Sequence, residues 1–349
     1  RIFVCMSMRV GVVGASGYAG AELMRILAWH PEFDVSVATA ASNAGAQLAD
    51  LHPGLAALGD ITLAPTSADV LLGLDFVFVA LPHGESAALT SLLPPDQRVV
   101  DLGADHRLRS PDDWAHYYGA GEAAEPWTYG LPELAGRASE VADSHKVASP
   151  GCYATAMHLS VAPLLESGLV EPTDVVTVAA SGTSGAGRKA SIALSATEVM
   201  GSMSAYKVGG VHQHTAEVVQ ELSAIAGRDV TLSFTPMLAP MPRGILATTT
   251  MRTGQGVTLE DVRGAFDVYY ASSPFVQFLP DGRWPTTAAT AGTNCGHLQA
   301  AVDERSGRVV VVAAIDNLDK GAAGQAVQNA NLMCGFTETT GLDLLGVTP

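Results

Sequence analysis

Arg9-Val-Gly-Val-Val-Gly14 runs directly into Ala15-Ser-Gly-Tyr-Ala-Gly20. The first half is a short apolar run with β-branched residues, bounded by glycines, as a buried parallel strand would be. The second half predicts a tight turn that opens a helix, with Leu23, Ile26 and Leu27 on one face and a stop before Pro31. Gly14, Gly17 and Gly20 at such a junction let the backbone approach a pyrophosphate closely. The helix start adds free N–H groups and a partial positive charge. A bare glycine pattern is a weak signal, and a tight turn without ligand is the plainer alternative. With a strand before it and a helix after it, the pattern points to a bound dinucleotide.

Similar strands follow outward from this unit. Phe33-Asp-Val-Ser-Val-Ala-Thr39, Leu74-Asp-Phe-Val-Phe-Val-Ala80, Arg98-Val-Val-Asp-Leu-Gly103 and Val147-Ala-Ser149 predict four more. Strands alternating with helices indicate an α/β fold, a Rossmann-type doubly wound parallel sheet. The rhythm changes after about residue 150. Val175–Ser181, Val230–Thr235, Ile245–Met251 and Arg308–Ile315 are predicted strands with longer, less regular connections. They point to a second, α+β domain with a mostly antiparallel sheet. Asp319 to Met333 reads as one helix, and Tyr153 to Leu165 as another. Arg1 to Ser7 read as an extension ahead of a domain that starts near Met8, without the cleavage pattern of a signal peptide.

The length of 349 residues favours two domains. Hydrophobic residues at 48% and charged residues at 15% describe a globular chain. The net charge of −16, from 19 Lys and Arg against 35 Asp and Glu, argues against nucleic acid as a partner. It argues equally against an anionic lipid surface. No apolar run reaches the roughly 18 residues of a membrane span. The cysteines at 5, 152, 295 and 334 have neither zinc-ribbon nor Cys-x-x-Cys spacing. Four in so long a chain are no disulfide framework, so a reducing, cytoplasmic setting is expected.

Chemistry is carried by a few positions. The end of the second strand, Ala38-Thr-Ala-Ala-Ser-Asn43, lacks the acid that holds NAD ribose hydroxyls. That favours NADP. No arginine is there, so Thr39, Ser42 and Asn43 would meet the 2′-phosphate with hydroxyls, an amide and backbone N–H groups. Cys152, after a Pro-Gly turn and at a helix start, is placed for a lowered pKa and for nucleophilic attack. A buried structural cysteine is the alternative. Val211-His-Gln-His214-Thr-Ala-Glu217 puts His212 and His214 on one side if it is a strand. Two metal ligands, an acid–base histidine with a helper, and plain hydrogen-bonded histidines all fit that pattern. Arg107, Arg188, Lys189 and Arg243 stand beside strand ends or glycines, where arginine suits carboxylate or phosphate. For any one of them alone, a surface cation is the simpler reading.

Together these stretches resemble the N-acetyl-γ-glutamyl-phosphate reductases over essentially the whole chain from about Met8. The carriers are Gly14–Gly20, Asp101-Leu-Gly-Ala-Asp-His-Arg107, Tyr129-Gly-Leu-Pro-Glu133, Pro150-Gly-Cys-Tyr-Ala-Thr155 and Ser181-Gly-Thr-Ser-Gly-Ala-Gly-Arg188. His212-Gln-His214, Pro242-Arg-Gly244 and the long Asp316-Asn-Leu-Asp-Lys-Gly-Ala-Ala-Gly-Gln-Ala-Val-Gln-Asn329 complete them. The family is similar in plan to aspartate-semialdehyde and glyceraldehyde-3-phosphate dehydrogenases.

The resemblance implies an NADP domain of residues 8–150 and 317–349 around an inserted catalytic and dimerisation domain, 151–316. It implies that the last helix returns to the first domain. It implies NADPH-dependent reductive dephosphorylation of an acyl phosphate in arginine biosynthesis, through a Cys152 thioester. His214, with His212 as runner-up, would handle protons. The cofactor site would comprise Gly14, Ser16, Gly17, Tyr18, Ala19, Thr39, Ser42, Pro82, Ser184, Gly185 and Asn317. Arg107, Ser181, Arg188, Glu217 and Arg243 would bind substrate, with no metal, in a homodimer or homotetramer. Ala19 replaces a common Thr and Gln213 a common Arg, which removes one charge beside the site. Rivals are a relative acting on carrier-bound aminoadipyl phosphate or aspartyl phosphate, a non-catalytic NADPH sensor, and a zinc hydrolase built on His212 and His214.

Overall fold

Met8–Val13 forms strand β1, and its last four residues are buried. The computed structural model describes residues 7–119 and 122–346. Strands β2 (Phe33–Ala40), β3 (Ala64–Pro65), β4 (Phe76–Val79), β5 (Arg98–Asp101), β6 (Thr128–Tyr129) and β7 (Lys146–Ala148) complete a first sheet. Its order is β3-β2-β1-β4-β5-β7-β6, and every neighbouring pair is parallel. The chain builds outward from β1 on one side, then returns to β1 through β4 on the other. The crevice at this reversal, beyond the strand ends, is where doubly wound sheets bind ligands.

The helix Tyr18–Leu27 buries Leu23, Met24, Ile26 and Leu27, which join Val10, Val12, Phe76, Phe78 and Val147 in one core. Ala326, Val327, Ala330 and Met333 of the last helix share that core. The end of the chain therefore packs on the first sheet. The stretch Asp319–Met333 is not one uniform helix. Asp319–Ala323 makes a π-turn, and only Gly324–Met333 is α-helical. Close packing accounts for the change. A Cβ on Gly321 would sit 2.7 Å from that of Cys152, and one on Gly324 would strike the carboxyl of Asp319.

The second sheet comprises β8 (Val175–Ser181), β9 (Ser204–Ala205), β10 (Leu232–Leu238), β11 (Ile245–Arg252), β12 (Val276–Phe278), β13 (Gly296–Asp303) and β14 (Arg308–Ile315). Its order is β12-β13-β14-β11-β8-β10-β9. Four junctions are antiparallel and two, β12–β13 and β8–β10, are parallel. β10 lies further along the chain than Val230–Thr235, because pairing with β8 carries it through Pro236 to Leu238. β13, Gly-His-Leu-Gln-Ala-Ala-Val-Asp, has little β-branched signal. Two flanking strands make it one, with β14 pairing along its whole length.

The helix Cys152–Glu166 is buried from Tyr153 to Leu165. It packs on β11, β14 and the helix His214–Ala226. A helix apolar on all sides belongs inside, and this one carries the head of the site. Cys295 is buried and Cys334 half-buried, and both are free thiols. Cys5 and the rest of residues 1–6, like 347–349, lie outside the described residues. Among the described residues no helix is long and apolar enough to cross a membrane.

Candidate active site

A cleft of about 920 Å³ opens where β1, β4, β5 and β7 end. Gly14, Ser16, Gly17, Tyr18 and Ala19 form one wall. Gly14 has φ +82°, and a Cβ there would meet the Ala80 carbonyl. A Cβ on Gly20 would meet the Gly14 carbonyl. The helix thus starts in direct backbone contact with the strand end. Such a cradle fits a dinucleotide pyrophosphate. Ser42, Pro82, Ser184, Gly185 and Asn317 line the same cleft. Asn317 donates to Ser184 Oγ at 3.0 Å and accepts from the Gly244 amide at 2.7 Å, so the last segment fixes the serine-glycine loop. Thr39 does not reach the cleft. It is fully buried, with its hydroxyl on Thr66 at 2.9 Å.

Cys152 begins its helix and lines the cleft. The amides of Tyr153 and Cys152 and the charge of Arg107 favour its thiolate, but burial outweighs them and pushes the thiol up to about 11. The lowered pKa expected from the helix start is therefore overturned, because the neighbours packed around the half-buried Cys152 desolvate a thiolate more than the amides offset.

His212-Gln-His214 is not a strand. His214 opens a helix, and His212 lies in the turn before it. The two imidazoles therefore do not share a strand face. His212 Nδ1 accepts the His214 backbone N–H at 3.2 Å, and its ring packs edge-on against Tyr153 and Phe234. His214 lines the cleft instead. Its ring lies against Gly151, where a Cβ would strike it, and its Nδ1 is buried without a partner. Burial, with the nearby charges of Arg107 and Lys207, holds His214 well below the usual histidine range. Burial and the His214 ring push His212 down to about 2. Both rings are therefore neutral at neutral pH, and the Nδ1 of His212 is already taken by the His214 amide. Among the described residues no three His, Cys, Asp or Glu side chains gather as a metal site would need.

The expected substrate residues separate. Arg107 is buried on the cleft wall, donating to the Leu102 carbonyl at 2.7 Å and to Glu217 at 3.4 Å. Its Nε has no partner. Glu217 is 1% exposed, one turn along the helix from His214. One of its oxygens accepts from Tyr129 Oη and the Gly151 amide, both at 2.7 Å, and the other faces Arg107. With both oxygens spent and the residue off the cleft wall, Glu217 braces the cysteine turn rather than meeting a ligand. Ser181 is buried beneath the loop, donating to the Gly182 carbonyl. Arg243 is committed elsewhere. It holds Glu22 of the first helix with two nitrogens, at 2.8 and 3.0 Å, and Asp316 with the third. Arg188 reaches over to the first domain, donating to the Leu51 carbonyl at 3.2 Å.

His83, Tyr118, Lys189, Gln213 and Gly321 also line the cleft. Tyr118, beside His83 at 5.5 Å, ends an exposed helix, and no local signal distinguishes it. Lys207 donates to Gln213 at 2.7 Å.

The comparisons with known proteins agree across the chain. Residues 9–142 match the family model of the semialdehyde dehydrogenase NAD binding domain, and 152–317 match that of its dimerisation domain. The chain is 59% identical to an N-acetyl-gamma-glutamyl-phosphate reductase of Acidothermus cellulolyticus, over 99% of this chain and all of that one. It is 52% identical to the enzyme of that name from Streptomyces coelicolor, with the same coverage. Among solved structures it is similar to aspartate semialdehyde dehydrogenase II of Vibrio cholerae, with TM-score 0.71 at 14% identity, covering 95% of this chain and 99% of that one. It is also similar to the aspartate semialdehyde dehydrogenase with NADP from Candida albicans, with TM-score 0.67 at 17% identity, covering 94% and 99%.

Proposed function

From the premise that the chain belongs to the N-acetyl-gamma-glutamyl-phosphate reductases, an oxidoreductase family, we propose that it reduces N-acetyl-L-glutamyl 5-phosphate to N-acetyl-L-glutamate 5-semialdehyde and phosphate with NADPH, in arginine biosynthesis. One observation carries the reading. Cys152 and His214 line the same cleft as the glycine cradle.

His214 is neutral, and it takes the Cys152 proton as sulfur attacks the acyl carbon. The bond from that carbon to the phosphate oxygen breaks, and phosphate leaves with the electron pair. A thioester remains on Cys152. The Gly14–Gly20 cradle and Asn317 would hold NADPH, whose chemistry would supply the hydride for the thioester carbon. The carbon–sulfur bond then breaks with its electron pair on sulfur, the semialdehyde departs, and His214 returns its proton to Cys152. Amides at the start of the cysteine helix stabilise the oxyanion. Arg107, the buried cation on the cleft wall, holds the phosphoryl or carboxylate group. Glu217 keeps Arg107 and the Gly151 turn in register.

Residues 8–150 and 317–349 would serve the cofactor, and 151–316 catalysis and dimerisation. We propose a homo-oligomer paired through the second sheet. Alternate residues of β8 and β11 are buried, while the opposite face, with Val178 and Thr248, is open. A cytoplasmic, reducing compartment suits a nucleophile that must remain a thiol.

The test runs the reaction backwards, with N-acetylglutamate semialdehyde, NADP+ and phosphate, following NADPH formation. Phosphate-dependent formation is expected, and Cys152→Ser should slow it by more than about a thousandfold. A rate independent of phosphate, or a serine variant of near-normal rate, would defeat the proposal.

A further inference from the structure

The loop after β2 has no cation where the cofactor's adenosine ribose should lie. Ala41-Ser-Asn-Ala-Gly-Ala-Gln47 offers only a hydroxyl, amides and backbone groups. Ala41, Ser42 and Asn43 nevertheless line the cleft. The cations that line it with them come from elsewhere. They are Arg107, Arg188 and Lys189. Arg107 is tied to Glu217, whose other oxygen holds the Gly151 amide, so it belongs to the Cys152 end.

Arg188 belongs to the opposite end. It extends from the second domain's glycine loop, and its Nη2 donates to the Leu51 carbonyl at 3.2 Å. The next residue, His52, hydrogen-bonds the Ser16 carbonyl at 3.0 Å. Arg188 is thereby set against the segment that follows β2 and that braces the glycine cradle. It is exposed, and its Nε and Nη1 remain available. Each still carries N–H hydrogens, which together with the fixed charge suit a phosphate oxygen.

Resting on the function proposed above, we infer that Arg188, reaching across from the catalytic domain, is the cation that binds the 2′-phosphate of NADP. Ser42 and Asn43 complete the pocket from the first domain, and Lys189 adds a second charge. Selection of NADP over NAD then depends on a residue outside the dinucleotide domain. In a chain of net charge −16, no general field draws the 2′-phosphate dianion in, so a placed arginine carries that task.

Calorimetric binding of NADP+, NAD+ and adenosine 2′,5′-bisphosphate to the full-length protein, at one ionic strength, tests this. Arg188→Gln should weaken NADP+ and the bisphosphate by on the order of tenfold to a hundredfold. NAD+ binding should be unchanged, which also reports an intact fold. Lys189→Gln should have the smaller effect of the two. An Arg188→Gln protein that keeps the wild-type ratio of NADP+ to NAD+ affinity would overturn the inference while leaving the proposed reaction standing. Wild-type protein that binds neither nicotinamide would instead bring down the functional reading beneath it.

Discussion

Gly151 has no side chain, and His214 occupies the space one would need. Any Cβ there would meet the imidazole at Nε2, Cε1 and Cδ2. The same residue donates its amide to Glu217 at 2.7 Å. Gly151 therefore spaces the cysteine from the histidine and anchors the turn between them. Gly151→Ala should leave the fold and cofactor binding intact and lower kcat by about a hundredfold, the scale of a displacement near 1 Å at reacting groups. Steady-state kinetics with a parallel NADP+ titration would check this. Normal kcat would mean that the ring is free to move aside. The residue scale is also where sequence reading is weakest. His-x-His looks the same whether the residues share a strand face or straddle the start of a helix, and only the backbone decides.

At the level of elements, the helix Tyr18–Leu27 does more than present its N-terminus to a phosphate. Its Glu22 is gripped by Arg243 from the lead-in to β11, and its Arg25 pairs with Asp319 in the π-turn at 3.1 Å. Burial by itself would raise Glu22, but Arg243 and Arg25 hold its carboxyl below the usual range. Arg243 thus joins two domains. Arg243→Gln leaves a buried carboxylate half-paired, and should cost roughly 3 kcal/mol in urea unfolding. It should also weaken NADP+ binding, because the helix that carries the cradle loses its anchor. Intact stability with a raised KM for the acyl phosphate alone would return Arg243 to a substrate role. The sequence placed Arg243 beside a strand, which was right. The Glu22 partner, 221 positions away, had no local trace.

Over the whole molecule, the seam between the domains holds an acid that prefers its proton. Burial, with Glu22 and Asp316 nearby, raises Asp319 to about 8 in spite of Arg25 and Arg243. An unfolded aspartate titrates near 4, so between about pH 4 and 8 folding takes up a proton at this site. The stability this contributes is complete below pH 4 and is lost as pH rises through 8. Asp319→Asn should remove that slope. Its stability relative to the wild type should improve on going from pH 5 to pH 7, by at most about 1.4 kcal/mol per pH unit. Denaturant titrations at several pH values measure the difference. Parallel curves for the two proteins would show that Asp319 is ionised throughout.

The sequence alone determined the two-sheet plan, the strand-glycine-helix cradle and the prominence of Cys152. Each rests on contiguous residues, where apolar periodicity and glycine placement act within one element. The tertiary structure decided what those residues do to one another. It withdrew Thr39, Ser181, Glu217 and Arg243 from the cleft wall, added Tyr118, and turned Arg188 toward the first domain. It also set the thiol's ionisation, since the desolvation that raises Cys152 comes from neighbours such as Gly321 that are remote in the chain. Strand pattern is a local property of the chain. Burial, charge pairing and the direction of a side chain arise only when distant segments close on one another.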